Sequence, residues 1–259
     1  MAKTEIRTGF WATVTTFAVS DALILWRMRT PVAFMFILPG LLAITLGPAI
    51  SGAGEQATSG RSVVGVAVMF SFMTVNYVGL ALFREHTHNT WMRQAIIHPP
   101  RLAFILGKSL PVAGAAFLQL GIFGAIAEIG YGLPLSGSLL QLIMVALLLV
   151  AFGCAFGVVL FVATKSVQSF RSLAYILLLM GGSAGGALVP TQNLPSISRV
   201  IGTITPQYWA MRAIDAAIGG TDSWRPALQA VLVIGGLTVA FAVVGVFSLR
   251  YRDEKSELI

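Results

Sequence analysis

Charge is what this chain has least of. Of its 259 residues only 10% are Asp, Glu, Lys or Arg, against 56% hydrophobic, and the mean hydropathy is +0.84. Soluble domains carry about 25% charged residues. The bulk of the chain is therefore read as lying in lipid, and its length counts spans rather than soluble domains. Cysteine is nearly absent. Cys154, inside an apolar run, is the only one, so no intrachain disulfide can form and the redox compartment is not readable. It reads as a small buried apolar residue. No G-x-S-x-G elbow occurs, and hydrophilic sequence is too scarce to house a catalytic domain outside a membrane, so the chain is not expected to be an enzyme. A phosphate loop is missing as well. Gly107-Lys108-Ser109 ends like one, but Leu102 stands where the motif needs its first glycine. Lys108 then reads as a lysine snorkelling from the start of a span. His86, His88 and His98 lie near Glu85, but no close Cys or Asp completes a shell, and an H-x-H pair on a helix diverges. No metal is expected.

What is present is a series of apolar runs. A spanning helix needs about 20 mostly apolar residues. Five runs reach that: 31–50, 63–83, 110–129, 139–163 and 227–249. A sixth, 173–189, is short, glycine-rich and uncharged. The runs are continuous rather than alternating, which excludes a membrane barrel and requires helices. The expected fold is an all-α integral membrane protein, one transmembrane domain of six helices. Lys and Arg orient it. Lys3, Arg7, Arg27, Arg29, Arg84, Arg93, Arg101, Lys108, Lys165, Arg171, Arg250, Arg252 and Lys255 fall on the side of the termini. Arg61, Arg199, Arg212 and Arg225 fall on the other. Both termini are expected in the cytoplasm. The same split accounts for the net charge of +7 with no nucleic acid required.

Before the first span, Trp11, Val14, Ala18, Ala22 and Leu25 recur at helical spacing while Thr13, Thr16 and Ser20 share another face. An amphipathic interfacial helix over 8–28 is expected. A signal peptide is disfavoured, because Asp21 and the threonines interrupt the apolar core one needs. The loop 190–226 is external and long, yet rich in Ile, Leu, Trp and Met. Long loops usually have structure of their own, and short re-entrant helices punctuated by Pro190, Pro195 and Pro206 fit it.

Polar residues inside spans carry two readings each. Glu128 marks a pathway or sits at headgroup level. Asn76, on one helix with Ser71 and Thr74, bonds between helices or lines a cavity. Gln119 and Gln141 add to a possible polar path. Gly181, Gly182, Gly185 and Gly186 form overlapping G-x-x-x-G pairs, which serve close packing at a subunit interface or within the chain.

Residues 84–111 form a polar island between two apolar runs. Pro99 disfavours helix at His98, which leaves two to three turns from about residue 87. A helix that short is not stable alone. It must dock on the membrane surface, its own bundle or a partner.

Here the sequence resembles the type-2 ABC transporter permeases, bacterial export components. Arg84-Glu85, Thr90, Pro99, Arg101-Leu102 and Gly107-Lys108 match the elbow after the family's second span. Asn89 replaces the usual Gly, Met92 a common acidic residue, and the proline comes one place late, with His98 in its position. Gly186-Ala-Leu-Val-Pro190, Leu194-Pro195 and Thr205-Pro206 resemble the pattern after its fifth span. The resemblance implies a permease that binds no cofactor itself and works with ATPase subunits that hold ATP and Mg. It also implies a second permease, identical or not, a bacterial cytoplasmic membrane, and an amphipathic substrate. Antibiotic, drug or lipid export is expected, with lipid-linked polysaccharide export as the alternative. A non-transporting scaffold or sensor subunit is the alternative of another class. By the resemblance, a coupling helix over 85–98 engages the ATPase through Arg84, Glu85, Asn89, Thr90, Trp91, Arg93, His98 and Pro99. Ser71, Thr74, Asn76, Gln119, Glu128, Gly182 and Gly186 belong to the substrate pathway. Pro190, Pro195 and Pro206 form the external gate.

Overall fold

A backbone in hydrocarbon must bond its amides within its own segment, and the computed structural model has no β-strand among its described residues. These are residues 9–51, 56–87, 90–135, 139–189, 194–219 and 224–250. The helices are α1 (Phe10–Arg27), α2 (Arg29–Ser51), α3 (Gln56–Ser71), α4 (Met73–Thr87), α5 (Thr90–Ile97) and α6 (Arg101–Ala125). They continue with α7 (Leu139–Ala163), α8 (Val167–Ala184), α9 (Ser196–Gly202), α10 (Pro206–Ile218) and α11 (Arg225–Ser248). Among the described residues, four stretches are long and apolar enough to cross a membrane: Ser59–His86, Arg101–Gly130, Leu139–Ala163 and Arg225–Ser248. A fifth arises if α1 and Val32–Thr45, bent by 60°, count as one span. The sixth run of the sequence forms a helix set further back, α8. The chain leaves helix at Gly185, and the polar first turns with Gln168 and Arg171 dilute its apolar character.

The axis of the bundle is the helix made by α3 and α4. A single tight turn at Phe72 joins them, with Phe72 N–H on Met69 O and Val75 N–H on Phe72 O. Within the chain 89% of its apolar window is buried, because α2, α6, α7, α8 and α10 all pack against it. Small residues set the spacing. A Cβ on Gly65 would collide with the carbonyl oxygen of Ala187, and one on Gly157 would come to 2.8 Å from the carbonyl oxygen of Val75. Gly153 faces Thr74 one turn earlier on α7, so Gly153-x-x-x-Gly157 is the packing seam between α4 and α7. The glycines of α8 are used within the chain too. Gly181 and Gly185 lie against Gln207 of α10, and Gly182 against Met69 of α3.

The third span begins earlier than its apolar run. Residues 101–109, which carry Arg101 and Lys108, are already helical, and α6 ends in a π-helical turn, Ile126–Gly130. Its early start has a partner: α1 packs along it. Thr13, Val14 and Asp21 of α1 are buried, and Phe17 meets Gly107 so closely that a Cβ there would fall at 2.6 Å. The buried stripe is thus rotated from the one expected. Val14 keeps its place, but Trp11 is 72% exposed and Asp21 faces inward.

Two glycines test this packing in opposite senses. Gly65→Ala must displace the Ala187 backbone and should destabilise by about 1–3 kcal/mol, as overpacking does. Gly114, with open space around its Cβ position, should gain up to about 1 kcal/mol on changing to Ala. Thermal unfolding of the purified variants in detergent reads both, and equal midpoints would contradict the packing described.

Candidate functional site

A carboxylate and an ammonium inside a bundle are stable only when paired, and the elbow side of this chain is built on that rule. Asp21 (α1), Arg84 and Glu85 (α4) and Lys108 (α6) converge there. The Arg84 guanidinium donates to Asp21 Oδ1 and the Lys108 ammonium to Glu85 Oε1. Lys108 Nζ also stands 2.8 Å from Asp21 Oδ2, an ion-pair distance outside hydrogen-bond geometry. The side chains of Asp21 and Lys108 are 1% and 3% exposed. Lys108 therefore does not snorkel. Its ammonium lies within 6 Å of the Phe17 and Phe104 ring centres, a desolvated setting where cation–π attraction adds to the ion pairs. Two cations and two carboxylates make the cluster formally neutral. It locks together α1, the end of the axial helix and the start of α6.

The short helix α5 is docked on the same end. Its anchor is Trp91, 5% exposed, stacked on His86 with ring centres 4.1 Å apart and edge-on to Phe104 and Phe161. Phe83 completes the aromatic cluster against Phe161 and Phe170. So short a helix thus leans on its own bundle. α5 ends at Ile97 as Pro99 requires. His98 takes a left-handed φ of 48°, a strain of order 1–3 kcal/mol that reverses the chain into α6. Of the residues assigned to ATPase coupling, Arg84, Glu85, Trp91 and Pro99 are turned inward, while His98 is exposed. Asn89, and the side chains of Thr90 and Arg93, lie outside the described residues. What the elbow presents outward is Ile96 and Ile97, 80% and 54% exposed. Neither is among the residues that the sequence reading assigns to coupling, although isoleucines at the end of a polar island are a visible signal.

At the opposite end of the axial helix stands a second ion pair. Arg61 and Arg84 are 23 residues apart, about 35 Å along a helix, close to the roughly 30 Å hydrocarbon thickness. Arg61 grips Asp215 of α10 with both carboxylate oxygens, Nε to Oδ1 at 2.7 Å and Nη2 to Oδ2 at 2.8 Å. Its Nη2 also donates to the Gly186 carbonyl at 3.1 Å. Gly186 has φ +79°, which suits glycine at that turn. One guanidinium so joins α3, the end of α8 and α10. Pro195 caps α9 and Pro206 opens α10; Pro190 lies outside the described residues.

The residues assigned to a pathway are spread along the bundle rather than gathered. Ser71 and Thr74 return their hydroxyls to backbone carbonyls of their own helix, Val68 at 2.7 Å and Ser71 at 2.5 Å. Asn76 Nδ2 donates to the Tyr175 hydroxyl at 3.2 Å, joining α4 to α8. Glu128 is half-buried in the π turn, and Gly182 is filled by Met69. Gln119 is different. It is fully buried and neither amide atom has a hydrogen-bond partner, a condition shared with Gln207 on α10.

Changing Lys108 to Met should cost about 3–5 kcal/mol, because it leaves a buried carboxylate uncompensated. Adding Asp21→Asn restores neutrality and should recover part of the loss. Thermal midpoints of the single and double variants check this, and a double variant no more stable than Lys108→Met would contradict it. Against known proteins, the family model described as "ABC-2 family transporter protein" matches residues 49–247. No curated protein matches the chain significantly.

Proposed function

The chain belongs to the ABC-2 family of transporter proteins, and from that premise we propose that it is the permease subunit through which a separate ATPase drives export of an amphipathic substrate. Membership makes it a multi-pass membrane subunit of an ABC transporter, working with an ATPase. The rest is our reading. The chain lies in a bacterial cytoplasmic membrane with both termini and the elbow inside, pairs with a second permease, and moves an antibiotic, drug or lipid outward.

The observation that carries the coupling is the construction of the elbow. Trp91 fixes α5 into the bundle, and about a turn and a half further on the helix presents outward-facing Ile96 and Ile97. A surface anchored this firmly transfers force instead of absorbing it. Behind it, the Asp21–Lys108–Glu85–Arg84 cluster links the elbow to the axial helix, and that helix carries the motion to Arg61 and its grip on Asp215 and Gly186. Rigid-body motion of packed helices is the general way a local push becomes a global change. Opening the Arg61 grip would free α10 and the turn after α8, on the side where the substrate leaves. The exposed Leu173, Ile176, Leu179 and Met180 of α8 suit the second permease.

Replacing Ile96 and Ile97 together by Asp should weaken association with the ATPase by roughly tenfold or more, about 1.4 kcal/mol per decade. The permease's own unfolding midpoint should stay unchanged. Co-purification and ATP-driven transport in liposomes read the effect. Full association and transport in that variant would defeat the assignment of this surface.

A further inference from the structure

None of the residues assigned to the pathway lines an apolar cavity found on the elbow side of the bundle. It has a volume of about 280 Å³ and lies between α6, α7 and α11. Its wall on α6 runs from Leu102 to Ala113, on α7 from Ala151 to Val158, and on α11 from Thr238 to Val246. We propose that this cavity holds an acyl chain of a phospholipid from the elbow-side leaflet, with the lipid phosphate at Arg101.

Four observations carry this. The first is position: every wall lies in the elbow-side half of its helix. The second is length. Leu102 to Ala113 spans eleven residues, about 17 Å at 1.5 Å per residue, which matches one leaflet, half of the roughly 30 Å hydrocarbon. The third is continuity. Leu102, Leu106 and Leu110 line the cavity and are 44%, 36% and 50% exposed. In a membrane that face meets lipid, so the cavity is open to acyl chains sideways. The fourth is charge at the mouth. Arg101, the first residue of α6, donates from Nη1 to the Phe247 carbonyl of α11 at 3.2 Å. It therefore stands across the entrance with further N–H groups available. The α6 N-terminus beside it favours an anion.

Of the two hydroxyls in the wall, one is open. Ser109 Oγ is buried without a partner, whereas Thr238 returns its hydroxyl to Ile234 at 2.7 Å. Ser109 lies eight residues beyond Arg101, about 12 Å deeper, out of reach of a headgroup. An occupant recognised through Ser109 would be a polar-tailed amphiphile rather than a lipid, and the experiment separates the two. The proposal does not depend on the direction or substrate of transport, only on the chain lying in a bilayer.

The test uses the full chain in nanodiscs of phosphatidylglycerol and phosphatidylcholine, each in turn carrying a photoreactive diazirine in mid-chain. Cross-links should concentrate on 102–113, 151–158 and 238–246. Filling the cavity with Ala155→Phe, or with Ala242→Phe should the first fail to fold, should lower them about tenfold, the loss of about 1.4 kcal/mol of binding. Arg101→Gln should reduce phosphatidylglycerol labelling and leave phosphatidylcholine labelling unchanged, and Ser109→Ala should change neither. Labelling spread over the exposed faces of α2 and α11, or unaffected by the filled cavity, overturns the proposal. So does labelling lost in Ser109→Ala, which would assign the cavity to a polar-tailed amphiphile.

Discussion

The arrangement of this chain depends on one buried lysine. Lys108 sits between the carboxylates of Asp21 and Glu85, and desolvation makes each of those groups costly unless all are present. Because the partners come from three helices, pairing them fixes where α1 lies, how far α6 extends past its apolar run, and how α4 ends. The close approach of Phe17 to Gly107 follows from the same constraint. A hydrophobic contact could hold these helices together, but it would let them slide. An ion cluster with fixed partners gives a register.

The axial helix gives that register a reach. It is buried along its length and gripped at both ends, by Arg84 and Glu85 on the elbow side and by Arg61 on the other. Between the grips, packing is carried by small residues against backbone, Gly65 on Ala187 and Gly157 on Val75. Such contacts have two discrete arrangements more readily than a continuum, since close-packed interiors do not deform smoothly. A push at α5 therefore has a stiff route across the bundle, and the single break in the route is the turn at Phe72.

How much of this was readable beforehand depends on the range of each interaction. The elbow was legible because its signals are local: Pro99 stops a helix at the preceding residues, and polar sequence interrupts two apolar runs. For the same reason Pro195 and Pro206 marked the starts of α9 and α10. Lys108 was misread as snorkelling because its partner Asp21 lies in another helix far along the chain, and nothing local announces the pair. The orientation of the elbow was hidden too. Glu85 and Trp91 looked like surface residues of a docking helix, yet the ion cluster and the Phe83–Phe161–Phe104 aromatics draw them inward. The α8 glycines left two uses open until Gln207 and Met69 were seen against them. Gly153-x-x-x-Gly157 had the same spacing and was passed over inside a uniformly apolar run.

With the ion cluster intact, the elbow, α1 and the start of α6 are predicted to move as one body. Distances between spin labels in the assembled transporter test it most directly, in a Cys154→Ala background with cysteines at Pro100, at the end of the elbow and clear of the Ile96–Ile97 surface, and at Leu23, both exposed. A second pair joins Pro100 to Ile204, exposed on the far side of the bundle. ATP is predicted to leave the Pro100–Leu23 distance unchanged while the Pro100–Ile204 distance shifts. An elbow that moves away from α1 on ATP binding, with the rest of the bundle still, would contradict it.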